Sequence, residues 1–454
     1  MAKISRTIYM FVYNHFENDS RVLKEALTLA SAGHKVHIIA IWKKGLPRLE
    51  QIDEIDKTDN IDKTGKIHKL NTIVVHRLEI ISVYILLLGR ENFDRLKKII
   101  YGFSTPPAVG PGKTPLFRPH EKKRLGFFKF FFSTIKKFLT IYCFYREIDK
   151  FFSQKKMKAD LFHAHDLNTL HIGYRMAKKF GAKLVYDSHE LYVHHNRPYI
   201  PPTWFLKLEE RFERRYIKKS DAVITVSQSI ADYLEKKYNI SKPHLIMNAP
   251  HQKTGSLKNN HCLRKILKID DGYKILLYTG GITFGRGLDK AIESLVDLQN
   301  LFFVMMGSGT EEFKNYLAAV AKKAGVEDRV AFFGPVPSGE VTAYAASADV
   351  GIAPIENVCL SYYFCAPNKV FEYIQSELPV VASNFPDMKR IVEKNDIGLT
   401  CDTSNPGEIA RAVDQVLLNY PVYLKNICEI KDRYCWEKES LKLKQVYADL
   451  YGGQ

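Results

Sequence analysis

Three stretches in the second half of the chain put glycines and cations where a strand gives way to a helix. The first is Tyr278-Thr279-Gly280-Gly281-Ile282-Thr283-Phe284-Gly285-Arg286-Gly287-Leu288. Such a turn exposes backbone N–H groups at the positive end of a helix, and glycine lets an anion approach the backbone closely. Arg286 adds a planar fork for phosphate oxygens. The stretch lacks the Gly-Lys-Ser/Thr of a Walker loop and is not a strict Gly-x-Gly-x-x-Gly. The second is Met306-Gly307-Ser308-Gly309, and the third runs from Cys365 to Tyr373 through Pro367, Asn368, Lys369 and Glu372. Pro367 suits a first helical turn, Asn368 and Lys369 stand near its dipole-positive end, and Glu372 lies one turn on. A carboxylate there can accept two hydrogen bonds from a vicinal ribose diol. Read singly, the first stretch is also a tight turn with a solvated arginine, and the third a helix with Lys369 and Glu372 paired at i, i+3. Three anion-friendly strand ends in one lobe weigh against that reading.

Other candidates lie in the first half. His163 and His165 alternate along an apolar run ahead of Asp166, which superficially resembles metal ligation. No third-ligand spacing accompanies them, and no metal site is expected. His189, taken alone, reads as a structural histidine.

The elements that would carry these residues alternate. A chain of 454 residues exceeds the size at which one core stops growing, so two domains are expected. The apolar run Ile4–Tyr13, a helical pattern over 19–32 ended by Gly33, and the apolar run His34–Ile41 form a βαβ unit, which calls for a parallel sheet. Residues 43–70 are charged and repetitive and read as a solvated surface insertion. Pro106–Pro119 reads as loop. Strand runs recur at Asp160–His165, Lys183–Asp187 and Ala222–Val226, followed by a helix over 230–238 and a short apolar run at His244–Met247. In the second half, strands are expected at 275–279, 301–306, 330–333, 350–353 and 380–383. Helices are expected near 287–298, 311–324, 338–346 and 368–376, with a last one over 436–450. The fold class is α/β, and ligands of such sheets bind outside the carboxyl ends of the strands. Domain bounds follow as 1–250, a polar linker at 251–263, 264–430 and a terminal helical segment 431–454.

These stretches resemble family 4 retaining glycosyltransferases. The likeness adds Phe16-Glu17-Asn18-Asp19-Ser20-Arg21-Val22-Leu23-Lys24-Glu25-Ala26, His163-Ala164-His165-Asp166, Tyr186-Asp187-Ser188-His189-Glu190, Val226-Ser227 and Tyr434-Cys435-Trp436-Glu437-Lys438. It implies the GT-B architecture of two facing Rossmann-like doubly wound domains, with a C-terminal helix returning to the N-lobe. It also implies roles. Arg286 and Lys369 would bind the donor diphosphate and Glu372 the ribose, with Gly280, Gly281, Gly307, Ser308 and Asn368 lining the donor site. Backbone around Pro335 and Val336 would meet the base. His189 would face the donor sugar with Asp166 nearby, and Asn14, Phe16, Asp19 and Arg21 would serve the acceptor side or cleft. A UDP- or GDP-linked sugar would be a substrate, with no cofactor and no metal. Retention would proceed by front-face attack, the cations and helix amino ends stabilising the leaving diphosphate electrostatically; no glycosidase-like carboxylate pair can be picked out.

Two positions depart from the family pattern. Phe364 stands where an acid usually precedes the ribose-binding glutamate by eight positions, and Glu356 is the candidate to replace it. Ile282 stands where the glycine loop usually carries an arginine, which leaves more of the phosphate charge to Arg286.

Composition bounds the partners. The net charge of +17 favours an anionic one. Between Lys113 and Thr140, lysines, arginines and phenylalanines accompany a single acid, Glu121. From Leu125 onward Lys129, Ser133, Lys136, Lys137 and Thr140 share one helical face, a pattern fitting an amphipathic helix on an anionic membrane leaflet. The alternative is a buried helix with solvated lysines, and no nucleic-acid partner is expected. No signal peptide or membrane-spanning run is read; Ile80–Leu88 is too short. Seven cysteines without Cys-x-x-Cys fit reduced thiols, hence a cytoplasmic protein, peripheral on the inner face of the cell membrane. The expected activity is hexosyl transfer from a nucleotide sugar to a glycan or lipid-linked acceptor in cell-surface polysaccharide or glycolipid synthesis. The alternatives are a catalytically silent scaffold or a sugar-nucleotide epimerase.

Overall fold

A computed structural model describes residues 5–17, 19–54, 71–80, 126–155, 157–197, 201–252 and 263–452. Its first sheet has eight strands in the order β3-β4-β2-β1-β5-β6-β7-β8. These are β1 (Thr7–Phe11), β2 (Lys35–Ile41), β3 (Leu49–Glu54), β4 (Asn71–Leu78), β5 (Leu161–His165), β6 (Lys183–Ser188), β7 (Ala222–Thr225) and β8 (His244–Leu245). The helices of this half are α1 (Ser20–Ser31), α2 (Gly126–Gln154), α3 (Leu167–Phe180), α4 (Thr203–Ile217) and α5 (Gln228–Tyr238). Continuous apolar runs such as Thr7–Phe11 make strands covered on both faces, as a parallel sheet requires. α1 buries Val22, Ala26 and Leu29 on one stripe and stops at Gly33, whose φ is +95°.

The second sheet is β11-β10-β9-β12-β13-β14, all parallel. It comprises β9 (Lys274–Thr279), β10 (Leu301–Met306), β11 (Val330–Phe333), β12 (Val350–Ala353), β13 (Val380–Ser383) and β14 (Gly398–Cys401). Its helices are α6 (Leu263–Leu267), α7 (Leu288–Glu293), α8 (Glu311–Ala324), α9 (Val341–Ala345), α10 (Leu360–Tyr363), α11 (Asn368–Gln375), α12 (Pro386–Val392), α13 (Pro406–Leu418), α14 (Tyr420–Ile430) and α15 (Trp436–Asp449). Side chains alternate across the sheet: Ile275 and Leu277 join one core cluster, Leu276 and Tyr278 the other. The strand order reverses at β9 and β12, and that reversal puts the ligand crevice at their carboxyl ends.

By contact density the chain divides into two compact units. One holds residues 1–19, 29–186 and 197–221, the other 20–28, 187–196 and 222–454. Arg21, Lys24, Asp187 and His189 therefore belong with the second sheet's unit, which sequence order does not convey.

Several expectations are corrected. The insertion expected at 43–70 contains β3, paired antiparallel with β4. β3 escapes a sequence reading because it is an edge strand with an exposed leucine, Leu49, and four polar residues, so no apolar run marks it. β14 and helices α12 to α14 lie outside the elements expected; β14 is a four-residue strand, whereas α13 buries Ile409, Val413 and Val416 on one stripe, an apolar period present in the sequence. Residues 55–70, the run 80–88 beyond its first residue, the loop 106–119, positions 113–125 and linker residues 253–262 lie outside the described residues. No helix among the described residues is long and apolar enough to cross a membrane.

Candidate active site

β9 delivers its last residue, Thr279, to the carboxyl edge of the second sheet, and the chain turns there through two glycines. Gly280 has φ +116°, a conformation L side chains rarely adopt, and a Cβ on it would stand 3.5 Å from Lys369 Nζ. Gly281 differs. Its backbone demands no glycine, and a Cβ would project into open space. The turn is braced from within by Tyr278, whose hydroxyl donates to the Gly281 carbonyl at 2.7 Å.

The neighbouring turn after β10 supports the first. Gly280 N–H donates to the Met306 carbonyl at 2.9 Å and Ile282 N–H to that of Ser308 at 2.7 Å. Gly307 is glycine for packing: a Cβ there would lie 1.9 Å from the Gly280 carbonyl oxygen. Two glycines expected to serve the ligand thus have different tasks. Gly307→Ala should destabilise the fold by at least about 2 kcal/mol. Gly281→Ala should leave melting unchanged and weaken nucleotide binding. Thermal melts with and without nucleotide check both, and a stable Gly307→Ala would contradict the packing assignment.

α11 brings the cations. Lys369 is buried, with Nζ 4.5 Å from the Tyr278 ring centroid, and the Arg286 guanidinium lies 4.6 Å over the Tyr362 ring. Burial first, and the Arg286 charge second, push the Lys369 ammonium down to about 7; Glu372 opposes them. Arg286 Nε is buried with no hydrogen-bond partner among the described residues. Two neighbouring cations, one buried and one with an orphaned donor, are costly without an anion between them.

Glu372 accepts a hydrogen bond from Thr279 Oγ1 at 2.9 Å. Burial raises its proton affinity, while the Thr279 bond, Lys369 and Lys24 oppose that. The helix is pinned by Tyr373, whose hydroxyl accepts from Thr279 N–H at 3.0 Å and donates towards the Leu277 and Ile352 carbonyls, both at 3.1 Å. Asn368 opens α11 and is exposed, as is Ser308. After β11, Pro335 is exposed and Val336 packs half-buried on the core cluster.

The two departures from pattern acquire structural content. Ile282 is 1% exposed and bridges to Gly309, so its position is part of the core. The ring of Phe364 lies against Tyr233 and Tyr363, centroids 6.1 and 5.4 Å away. Glu356, the expected stand-in, is tied to the glycine loop by its own N–H, which donates to the Gly285 carbonyl at 3.1 Å, and burial pushes its carboxyl up.

The same unit holds a second charged group. His189 Nε2 donates to Asp187 Oδ2 at 3.0 Å, which fixes the orientation of the ring. Asp187 is fully buried and takes Arg21 Nε and Nη2, both at 2.9 Å. Arg21 also donates to the Ile246 carbonyl at 2.8 Å and pairs with buried Glu25 at 3.0 Å. Arg21, expected on the acceptor side or in the cleft, is buried and holds both Asp187 oxygens. Burial drives the Glu25 carboxyl well up against the pull of Arg21. Lys24 donates to the Ala249 carbonyl at 2.5 Å and stacks on Trp436 at 4.8 Å. Burial, then Arg21, lower it to about 8, and its charge reaches Glu372. Asp187, Lys24, Thr279 and Tyr373 carry no role in the sequence reading; each adjoins a residue that does.

In the first unit, Asp166 follows β5 with φ 61° and ψ 166°, a region essentially reserved for glycine. That stored strain marks it as a functional candidate. Asn14 donates to Asp19 at 2.8 Å and accepts from Phe16 N–H at 2.8 Å, and Phe16 is buried at φ +52°, so these three build a braced turn.

The model for glycosyl transferases group 1 matches residues 260–431, and that for glycosyltransferase family 4 matches residues 108–249. An uncharacterized glycosyltransferase of Methanocaldococcus jannaschii is 25% identical over 250 residues, which is 52% of this chain and 62% of that protein. An O-antigen biosynthesis glycosyltransferase, WclY, of Escherichia coli is 23% identical over 197 residues, 43% of this chain and 52% of its own length. The matches thus span little more than half the length of these relatives. Among solved structures, Anabaena HepE in complex with UDP superposes with TM-score 0.63 at 12% identity, covering 98% of this chain and all of that one.

Proposed function

Because the chain belongs to the family 4-type glycosyltransferases of GT-B architecture, we propose that it transfers a hexose-type sugar from a UDP- or GDP-linked donor, with retention and without a metal. The acceptor is a glycan or lipid-linked glycan of a cell-surface polysaccharide or glycolipid, reached from the cytoplasmic face of the membrane. The observation that carries this reading is Lys369, buried beside Arg286 at a glycine turn whose Gly281 leaves open space, with Glu372 one helical turn on. A diphosphate supplies the missing anion and a ribose diol suits the carboxylate. As the glycosidic bond breaks, charge grows on the diphosphate oxygens. Arg286 and Lys369 stabilise it without carrying protons. His189, oriented by Asp187, is assigned to the donor sugar, and Asp166 is assigned with it to catalysis. Pro335 and Val336 are assigned to the base. The E. coli relative named for O-antigen synthesis and the neighbour solved with UDP support the substrate classes.

A second reading, a catalytically silent scaffold, is favoured by Phe364 in an aromatic cluster where the family carries an acid. A melting series over nucleoside diphosphates, followed by a panel of donor sugars, separates the two. A true ligand at a hundred times its Kd adds about 2.7 kcal/mol of stability. Stabilisation by UDP or GDP with slow donor hydrolysis is expected; no stabilisation and no turnover with any donor would overturn the proposal.

A further inference from the structure

α4, in the first unit, has a face that donor chemistry does not use. It buries Phe205, Glu213 and Ile217 and exposes Trp204, Leu208 and Phe212, at 61%, 52% and 37%. Trp204, Leu208, Arg211 and Arg215 recur at i, i+4, i+7 and i+11, one stripe of a helix. Lys207, Arg211, Arg214 and Arg215 are exposed, and so are Lys218 and Lys219 just beyond the helix end. Of the three acids of the helix, Glu210 is half-buried and the other two are withdrawn. Glu213 is buried and accepts from the Tyr186 hydroxyl, and Glu209 pairs with Arg197 at 2.6 Å. α2 extends the apolar part. Phe138, 53% exposed, meets buried Phe205 edge-on at 6.4 Å, and Phe205 meets Trp204 at 5.9 Å. Tyr142, one turn along α2, is 62% exposed.

Aromatic and aliphatic tips at one-turn spacing, surrounded by cations with no exposed acid on α4, match the chemistry of a membrane interface. We propose that this face docks on an anionic lipid bilayer. Trp204, Leu208 and Phe138 enter the headgroup–acyl boundary while Arg211, Arg215 and the lysines meet anionic headgroups. The alternative of single-stranded nucleic acid gains nothing from Leu208, which offers no ring for a base to stack on. The surface lies mainly on α4 and shares only Phe138 with the 113–140 segment expected from sequence, and the inference goes beyond the transfer reading because neither donor nor acceptor enters it.

The test is sedimentation of the full chain with vesicles of phosphatidylcholine alone or mixed equally with phosphatidylglycerol. Binding is expected only to the anionic vesicles, weakening with salt. Trp204 is the exposed one of three tryptophans, since Trp42 is half-buried and Trp436 buried. Emission should therefore shift to the blue on binding, and Trp204→Phe should abolish the shift. Trp204→Ser with Leu208→Ser should cut partitioning at least tenfold. Arg211→Gln with Arg215→Gln should cut it by roughly five-fold per residue. Unchanged melting temperatures in these surface variants exclude misfolding. Absence of binding to anionic vesicles, equal binding by the variants, or a dimer that Leu208→Ser dissociates would each overturn the proposal. So would tighter binding to single-stranded nucleic acid lost in the same variants.

Discussion

Lys369→Met should lower kcat/KM for the donor by two to three orders of magnitude, on the order of the loss when one preorganised charge donor is removed, while the fold survives. Methionine keeps the apolar stem against Tyr278 and removes the ammonium. Stability should not fall, because burial and Arg286 disfavour that charge in the free protein. The proton balance gives a second signature. A folded-state value of about 7 lies below the unfolded one, so folding releases a proton between them and stability rises with pH across that window. Donor binding reverses this, since a diphosphate favours the ammonium. Donor affinity should thus fall as pH rises above about 7, by up to tenfold per unit, with proton uptake visible by calorimetry in buffers of different ionisation enthalpy. Lys369→Met should show neither. A flat pH profile in the parent chain would remove Lys369 from the diphosphate site.

Asp187→Ala should cost about 3–5 kcal/mol of stability, as breaking one partner out of a buried ion pair does. Arg21 would lose both bonds to Asp187 while Glu25 and the Ile246 carbonyl stay among its partners, and Glu25 resists ionisation because it is buried. The same change removes the Asp187 hydrogen bond from the ring of His189. Asp187→Asn retains most of the packing and gives the informative split: kcat should drop while KM for the donor changes little, because the diphosphate ligands are elsewhere. Denaturant melts and steady-state kinetics read the two effects. An Asp187→Ala chain as stable as the parent would contradict the buried-pair account.

What the sequence discloses follows from how each residue is held. Strands covered on both faces, such as Leu301–Met306, declare themselves as apolar runs, and the turns beyond them carry glycines that only a tight strand-to-helix passage needs. Arg286, Lys369 and Glu372 are legible because their positions follow those turns. Glycine roles are not: Gly307 and Gly281 look alike in sequence, and only the 1.9 Å approach of the Gly280 carbonyl separates packing from ligand access. Nor is the brace of Tyr373, whose partners lie on β9 and β12, about a hundred and about twenty residues back. Glu356 illustrates the converse. An acid nearby in sequence looks like a substitute for Phe364, yet its backbone is tied into the glycine loop through the Gly285 carbonyl. The partition of Arg21 and His189 into the second sheet's unit is likewise a matter of contacts that chain order hides.

The central claim is that a nucleoside diphosphate sits at the carboxyl end of β9. A crystal structure of the chain with UDP or GDP tests it directly. The account predicts the diphosphate against Gly280 and Gly281 with Arg286 and Lys369 on its oxygens, and the ribose diol on Glu372. A diphosphate bound away from Lys369, with Glu372 still held only by Thr279, would contradict it.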